Sequence, residues 1–228
     1  MNYSLILFDA DGTLFDYDKA EAYALQNAFN FMEIPFSKEF ISIYKTINSA
    51  LWLDFEKGLI SPDKIRVERF KQLFDNFNVE TDIKKFGDIY LHYFAEAGFL
   101  IDGAENIVKK IAEQKNTAIV TNGLSVVQRS RFSKAPIMSL FEDVIISEEI
   151  GCAKPNPDFF EITFERLNHK DKNSTIIIGD SLTSDIQGGI NFGITTCWFN
   201  PKKLPNNSGL TPDFEIQKLE ELLGILDL

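Results

Sequence analysis

Near the start of the chain the run Tyr3 to Phe8 is apolar apart from Ser4. It is too uniform for a half-solvated strand and predicts one buried on both faces of a parallel sheet. After Phe15 the pattern changes to helical spacing and stays so for some eighty residues. Ala22, Leu25, Phe29 and Met32 share one face before Ile34-Pro35, and Phe40, Ile43, Ile47 and Leu51 share another before Gly58. Ser61-Pro62 predicts an N-cap with proline at the first helical position, opening a helix that aligns Phe70, Phe74 and Phe77. Thr81 starts a fourth helix, with Ile83, Phe86, Tyr90 and Phe94 inward and Gly98 beyond its end.

From Asp102 onward strand and helix alternate. Helix 103–114 leads to strand 117–121, helix 124–134 to strand 144–146, the helix opened by Asn156-Pro157 to strand 175–178, and helix 183–192 to strand 195–199. A loop over 201–212 and a closing helix over 219–226 complete the chain. Strands joined through helices give βαβ units and a parallel sheet. The predicted organisation is therefore an α/β core made from residues 1–15 and 99–228, with an inserted helical domain over 16–98.

Composition narrows the partners more than the fold. With 228 residues, 44% of them hydrophobic, the chain can bury a sizeable core. A net charge of -11 and a pI near 4.7 argue against nucleic acid or an anionic membrane as partner, and no apolar run is long enough to span a bilayer. Cys152 and Cys197 stand far apart, outside any paired motif and without an amino-terminal signal peptide, which predicts reduced thiols in a cytoplasmic protein, monomeric or homodimeric. The sequons at Asn173 and Asn206 have no secretory context, and His92 and His169 have neither metal spacing nor a nucleophile motif beside them, so all four read as ordinary positions.

The candidate chemistry gathers at strand ends. Asp9-Ala10-Asp11-Gly12-Thr13 follows the first strand and Thr121-Asn122-Gly123 the second; Gly151-Cys152-Ala153-Lys154-Pro155 follows the third and Gly179-Asp180 through Asp185 the fourth. In a parallel sheet these carboxyl ends lie along one edge, so four acids, a lysine, a hydroxyl and an amide converge. Taken singly, each has an ordinary explanation as a turn, a surface charge or a helix-start acid. Together they make a crowd of carboxylates that must shift their pKa values or recruit a cation. Oxygen-only ligands point to a hard ion such as Mg²⁺, and the ion with Lys154 would receive a phosphate dianion.

These motifs resemble those of the haloacid dehalogenase-like hydrolase superfamily: Asp9-Ala10-Asp11-Gly12-Thr13 for the first, Thr121 for the second, Lys154 for the third, Asp180 with Asp185 for the fourth. The resemblance implies a Rossmann-like parallel sheet core with an inserted α-helical cap that selects the leaving group. It also implies Asp9 as nucleophile forming an aspartyl-phosphate, Asp11 as acid and base, and Thr121, Asn122 and Lys154 on the phosphate. Mg²⁺ would be held by Asp9, the Asp11 backbone carbonyl and Asp180, with Asp185 acting directly or through water.

Within the insertion, Asn48 to Gly58 and Arg66 to Phe70 are similar to the pyrimidine 5′-nucleotidase branch, as are Asp185 to Gly193 and Cys197 to Asn200. That likeness makes Asn48, Trp52 and Arg69 candidates for substrate contact and a nucleoside monophosphate the expected small phosphorylated metabolite. An acidic residue is common in that branch where this chain has Gly12. The alternatives are a phosphoglycolate or sugar-phosphate phosphatase, a phosphomutase, a haloacid dehalogenase, a non-catalytic binding protein, and a phospho-aspartate receiver, the last being smaller and without a cap.

Overall fold

The computed structural model describes residues 3–228. Strand β1 (Leu5–Phe8) is followed by α1 (Tyr17–Phe31), α2 (Lys38–Glu56), α3 (Pro62–Phe77) and α4 (Ile83–Glu96). The alternating part runs α5 (Ala104–Ala112), β2 (Asn116–Thr121), α6 (Ser125–Ser133), β3 (Asp143–Ile146), α7 (Ser147–Ile150) and α8 (Pro157–Arg166). It continues with β4 (Thr175–Gly179), α9 (Gln187–Phe192), β5 (Thr195–Phe199), β6 (Phe214–Ile216) and α10 (Leu222–Ile225). The strands form one parallel sheet in the order β3-β2-β1-β4-β5-β6, which puts β1 in its interior. The fold is a Rossmann-like α/β core.

Burial in β1 follows the pleat. Leu5 and Leu7 pack with Phe159, Phe160 and Phe164 of α8, whereas Ile6 and Phe8 pack with Ile107, Val108 and Ile111 of α5. Both faces are covered, which is why the strand reads as a continuous apolar run. The register sets Phe8 opposite Ile119 and Ile178, so β1, β2 and β4 end level with one another. Beyond the predicted elements the structure adds the short α7 and β6. The latter is three residues long and pairs Cys197, Trp198 and Phe199 with Phe214, Glu215 and Ile216.

The chain divides into two compact units. One comprises the chain up to Tyr17 with Phe99–Ser125 and Phe132–Leu228; the other comprises Asp18–Gly98 with Val126–Arg131. The way into and out of the helical unit is a narrow one. Phe15 and Leu100 form an antiparallel bridge, Asp16 N–H donates to Phe99 O at 2.9 Å and Ile101 N–H to Leu14 O at 2.9 Å.

Inside the helical unit the core is aromatic, with Phe29 lying 4.6 Å from Phe40 and 5.0 Å from Phe86, ring to ring. The buried face of α2 differs from the one its apolar spacing predicts. Phe40 and Leu51 are inside as expected, but Tyr44 and Asn48 are buried while Ile43 and Ile47 are only half-buried. The neighbours explain the rotation: Glu21 of α1 and Arg69 of α3 are themselves buried, and Asn48 Nδ2 donates to Glu21 Oε1 at 3.5 Å. Charged groups in an interior need polar company, which Tyr44 and Asn48 bring and isoleucine cannot.

Candidate active site

The loop after β1 is wound tightly, with Leu14 and Phe15 N–H both bonding Ala10 O and Gly12 N–H bonding Phe15 O, at 2.9, 2.8 and 2.9 Å. Gly12 has φ +87°, a left-handed conformation that side-chain-bearing residues rarely adopt. A Cβ there would overlap the Asp180 carboxylate, so the absence of a side chain lets Asp180 lie directly on the loop.

Lys154 organises the buried charge. Its backbone is pinned by Asn122, whose Oδ1 accepts from Lys154 N at 2.9 Å while its Nδ2 donates to Lys154 O at 2.8 Å. The ammonium donates to Asp9 Oδ1 at 2.7 Å, to Asp185 Oδ1 at 2.6 Å and to Val120 O at 2.7 Å. An ammonium has three protons, and all three are used. Lys154, Asp9 and Asp185 are all buried. The second oxygen of Asp185 accepts from Ser181 N at 3.1 Å, and its carboxylate fills the space a Cβ at Gly179 would need.

The electrostatics follow from this burial. Burial raises the Asp9 carboxyl well above the usual carboxylate range; Lys154 pulls it back, and Asp185 and Asp180 push it up again. Burial by itself would lower the Lys154 pKa, but the paired Asp185 and Asp9 carboxylates reverse that and hold it above the ordinary lysine value, so it stays a cation. Asp180 is pushed up to about 7 by the protein crowded round its carboxyl and by the charge of Asp185, although the residue as a whole keeps a solvent-facing surface.

The structure brings four of the sequence-predicted positions together directly: Asp9, Asp180 and Asp185 offer carboxylate oxygens within 4.8 Å of one another, with Lys154 bridging the first and last. Asp11 is half-buried on the Gly12 loop and its carboxylate is not part of that group, which leaves its backbone as the portion to consider for a metal. Thr121 is buried at the end of β2. Asn122 follows it, and because its carboxamide is committed to Lys154 at both ends, only its backbone N–H suits a phosphate.

The candidates in the helical unit differ in exposure. Asn48 and Arg69 are each 3% exposed, with the Arg69 guanidinium 4.7 Å from the Phe70 ring and 4.9 Å from the Tyr90 ring. Trp52 is half-buried and meets Phe55 edge-on at 5.5 Å. Sequence reasoning missed Val120 O, the Ser181 N–H and Trp198, whose Nε1 donates to Asp180 O at 2.9 Å. A backbone group carries no sequence signal, and a tryptophan within an apolar strand reads as core.

Residues 3–193 match the model of the haloacid dehalogenase-like hydrolase family, and the chain belongs to that family of enzymes. Among its curated relatives, the HAD-hydrolase YfnB of Bacillus subtilis (strain 168) is 39% identical over 99% of this chain and 96% of its own length. The pyrimidine 5′-nucleotidase PynA of Streptococcus pneumoniae (strain ATCC BAA-255 / R6) is 35% identical over 100% and 96%, and the pyrimidine 5′-nucleotidase YjjG of Escherichia coli (strain K12) 32% over 99% and 99%. A crystal structure of YfnB bound to magnesium superimposes with a TM-score of 0.95 at 38% identity, covering 100% of both chains. An L-2-haloacid dehalogenase of Xanthobacter autotrophicus shares the fold at a TM-score of 0.79 and 17% identity, over 99% of this chain and 98% of that one.

Proposed function

We propose that the chain is a Mg²⁺-dependent phosphomonoester hydrolase whose substrates are nucleoside monophosphates, pyrimidine ones foremost. The observation that carries the reaction class is the buried clamp of Lys154 on Asp9 and Asp185 beside Asp180. Three carboxylates against one ammonium leave a nominal charge of about −2 to be balanced, and all the donors are hard oxygens, with no Cys or His in the group. That set fits a divalent magnesium ion. Asp9, the Asp11 backbone carbonyl and Asp180 would hold it, with Asp185 fixing the arrangement through Lys154 and Ser181. When bound, the ion neutralises phosphate charge as the displacement proceeds. Support for the pyrimidine preference comes from the full-length similarity to PynA and YjjG, and for the metal from the magnesium bound in the YfnB crystal structure.

In this reading an Asp9 carboxylate oxygen attacks phosphorus while the bond to the leaving oxygen breaks, and Asp11 gives that oxygen its proton. Asp11, now a carboxylate, takes a proton from water as the water attacks the aspartyl-phosphate, releasing inorganic phosphate and restoring Asp9. Lys154 balances charge on Asp9 and the phosphoryl oxygens, and the Thr121 hydroxyl and Asn122 backbone N–H donate to those oxygens. The helical insertion selects the leaving group, with Trp52 the most accessible of its three candidates. The free thiols Cys152 and Cys197 favour a cytoplasmic setting.

The test is phosphate release with Mg²⁺ from UMP, dUMP and dTMP beside purine monophosphates, phosphoglycolate, glyceraldehyde 3-phosphate and sugar phosphates. Turnover highest on the pyrimidine set is the expected result. No turnover of any phosphomonoester would overturn the reading, and a preference for glyceraldehyde 3-phosphate would reassign the substrate toward the phosphatases of Methanopyrus kandleri and its kin, which are 26–29% identical over 97–98% of the chain. Asp9→Asn is expected to lose activity by removing the nucleophile.

A further inference from the structure

Of the three carboxylates in the group, two have their positions explained. Asp9 and Asp185 are held by the Lys154 ammonium, whose three protons are all spent on them and on Val120 O. Asp180 therefore receives no hydrogen bond from that clamp, only the charge of Lys154 at a distance, and it is also the member of the group with the largest solvent-facing surface. Its carboxylate lies against the bare Cα of Gly12, a seat that gives room but no direction. Where the carboxylate points must then be set by the Asp180 backbone, just past the end of β4.

One side chain grips that backbone. Trp198 stands opposite Gly179 in the β4–β5 register, is only 4% exposed, and donates its indole N–H to Asp180 O at 2.9 Å. A large, rigid ring fixed in a strand is a stiff support, because little side-chain freedom remains to be lost or regained. We infer that Trp198 is a positioning residue for the metal: its N–H holds the Asp180 carbonyl, so that the Asp180 carboxylate is aimed at the ion before the ion arrives. The inference rests on the proposed role of Asp180 in holding Mg²⁺. It assigns Trp198 no contact with substrate.

The consequence is a division of labour between the group's supports. Changing Lys154 disturbs charge and phosphate binding together, whereas losing the Trp198 N–H alone, with the ring kept, acts on metal affinity. Trp198 also becomes an internal reporter, since the chain has only one other tryptophan, Trp52.

The experiment titrates Mg²⁺ into the full chain by calorimetry, comparing wild type, Trp198→Phe, and a chain in which Trp198 is replaced by benzothienylalanine, which keeps the ring's size and lacks its N–H. Both variants are expected to bind Mg²⁺ about fivefold more weakly, the loss of one hydrogen bond to a preorganised group, with KM for nucleotide at saturating Mg²⁺ unchanged. In a Trp52→Phe background the fluorescence of Trp198 is expected to change with Mg²⁺ and to saturate with the calorimetric curve. Undiminished affinity in the benzothienylalanine chain would overturn the inference while leaving the metal assignment standing, as would weakening in Trp198→Phe alone, which traces to lost volume. No Mg²⁺ binding by wild type would remove the metal assignment and the inference with it.

Discussion

Lys154 shows how one side chain can decide both stability and chemistry. Removing an ion-pair partner from a buried site is far costlier than replacing the whole pair, because the remaining charge has neither water nor a counter-ion. Lys154→Met is therefore expected to lose about 3–5 kcal/mol of unfolding free energy as well as activity, measured by urea denaturation. Lys154→Met with Asp185→Asn is expected to regain part of the stability and none of the activity. Gly179→Ala tests the same cluster by volume alone: the new methyl displaces the Asp185 carboxylate, at a cost of about 1–3 kcal/mol in the same assay. Asp9, Lys154, Asp180 and Asp185 were legible in the sequence because polar residues directly after buried strands stand out against their surroundings. Trp198 was not, since an indole in an apolar strand looks the same whether or not its N–H holds a functional loop. Asn122 was half legible: its place beside the site was visible, its commitment to the Lys154 backbone was not.

Among the elements, the helix starts show where local sequence is decisive and where it leaves a choice. Ser61 and Pro62 open α3 as their types require, yet the Ser61 hydroxyl lies 3.4 Å from Lys64 N. Thr81 and Asp82 are both acceptable N-caps for α4, and the structure uses Asp82, whose Oδ1 accepts from Lys85 N at 2.9 Å. The shorter bond to a charged acceptor is the stronger one. Asp82→Ala is thus expected to cost about 1 kcal/mol and Ser61→Ala distinctly less, read from the midpoints of thermal unfolding. The inward face of α2 could not be found from its own periodicity, because Tyr44 and Asn48 were drawn inside by Glu21 and Arg69 on two other helices. β6 escaped for a related reason: three residues with one buried side chain make no period, and only its pairing with β5 defines it.

At the scale of the whole molecule, two buried neutral groups forecast the alkaline limit. Burial, opposed by Arg69 and reinforced by Glu21, pushes the Tyr44 hydroxyl from 10.0 up to about 12. Burial, with a smaller push from Glu221, takes the Cys197 thiol from 9.0 up to about 12. Both folded values lie above the unfolded ones, so the stabilisation is complete below about pH 9 and is lost as pH rises toward 12. Urea unfolding between pH 8 and 11.5 is expected to show a decline on the order of a few kcal/mol, smaller in Tyr44→Phe. The bridge between Phe15 and Leu100 reaches further, into how such a chain can be cut and rejoined. Because the helical insertion leaves and re-enters through adjacent residues, a short turn could replace it without stretching the sheet, and the loop so closed adds little entropy cost. The excision has a hidden dependency in α6, where Ser130 Oγ donates to Ala95 O at 3.2 Å. Arg131, fully buried, donates to Ala97 O at 3.2 Å and stacks on Phe94 at 4.6 Å, both of which leave with the insertion. Excision therefore strips Arg131 of both contacts, so that the boundary a protein engineer must respect runs through α6, where Val126–Arg131 group with the helical unit, as well as through the two crossing segments.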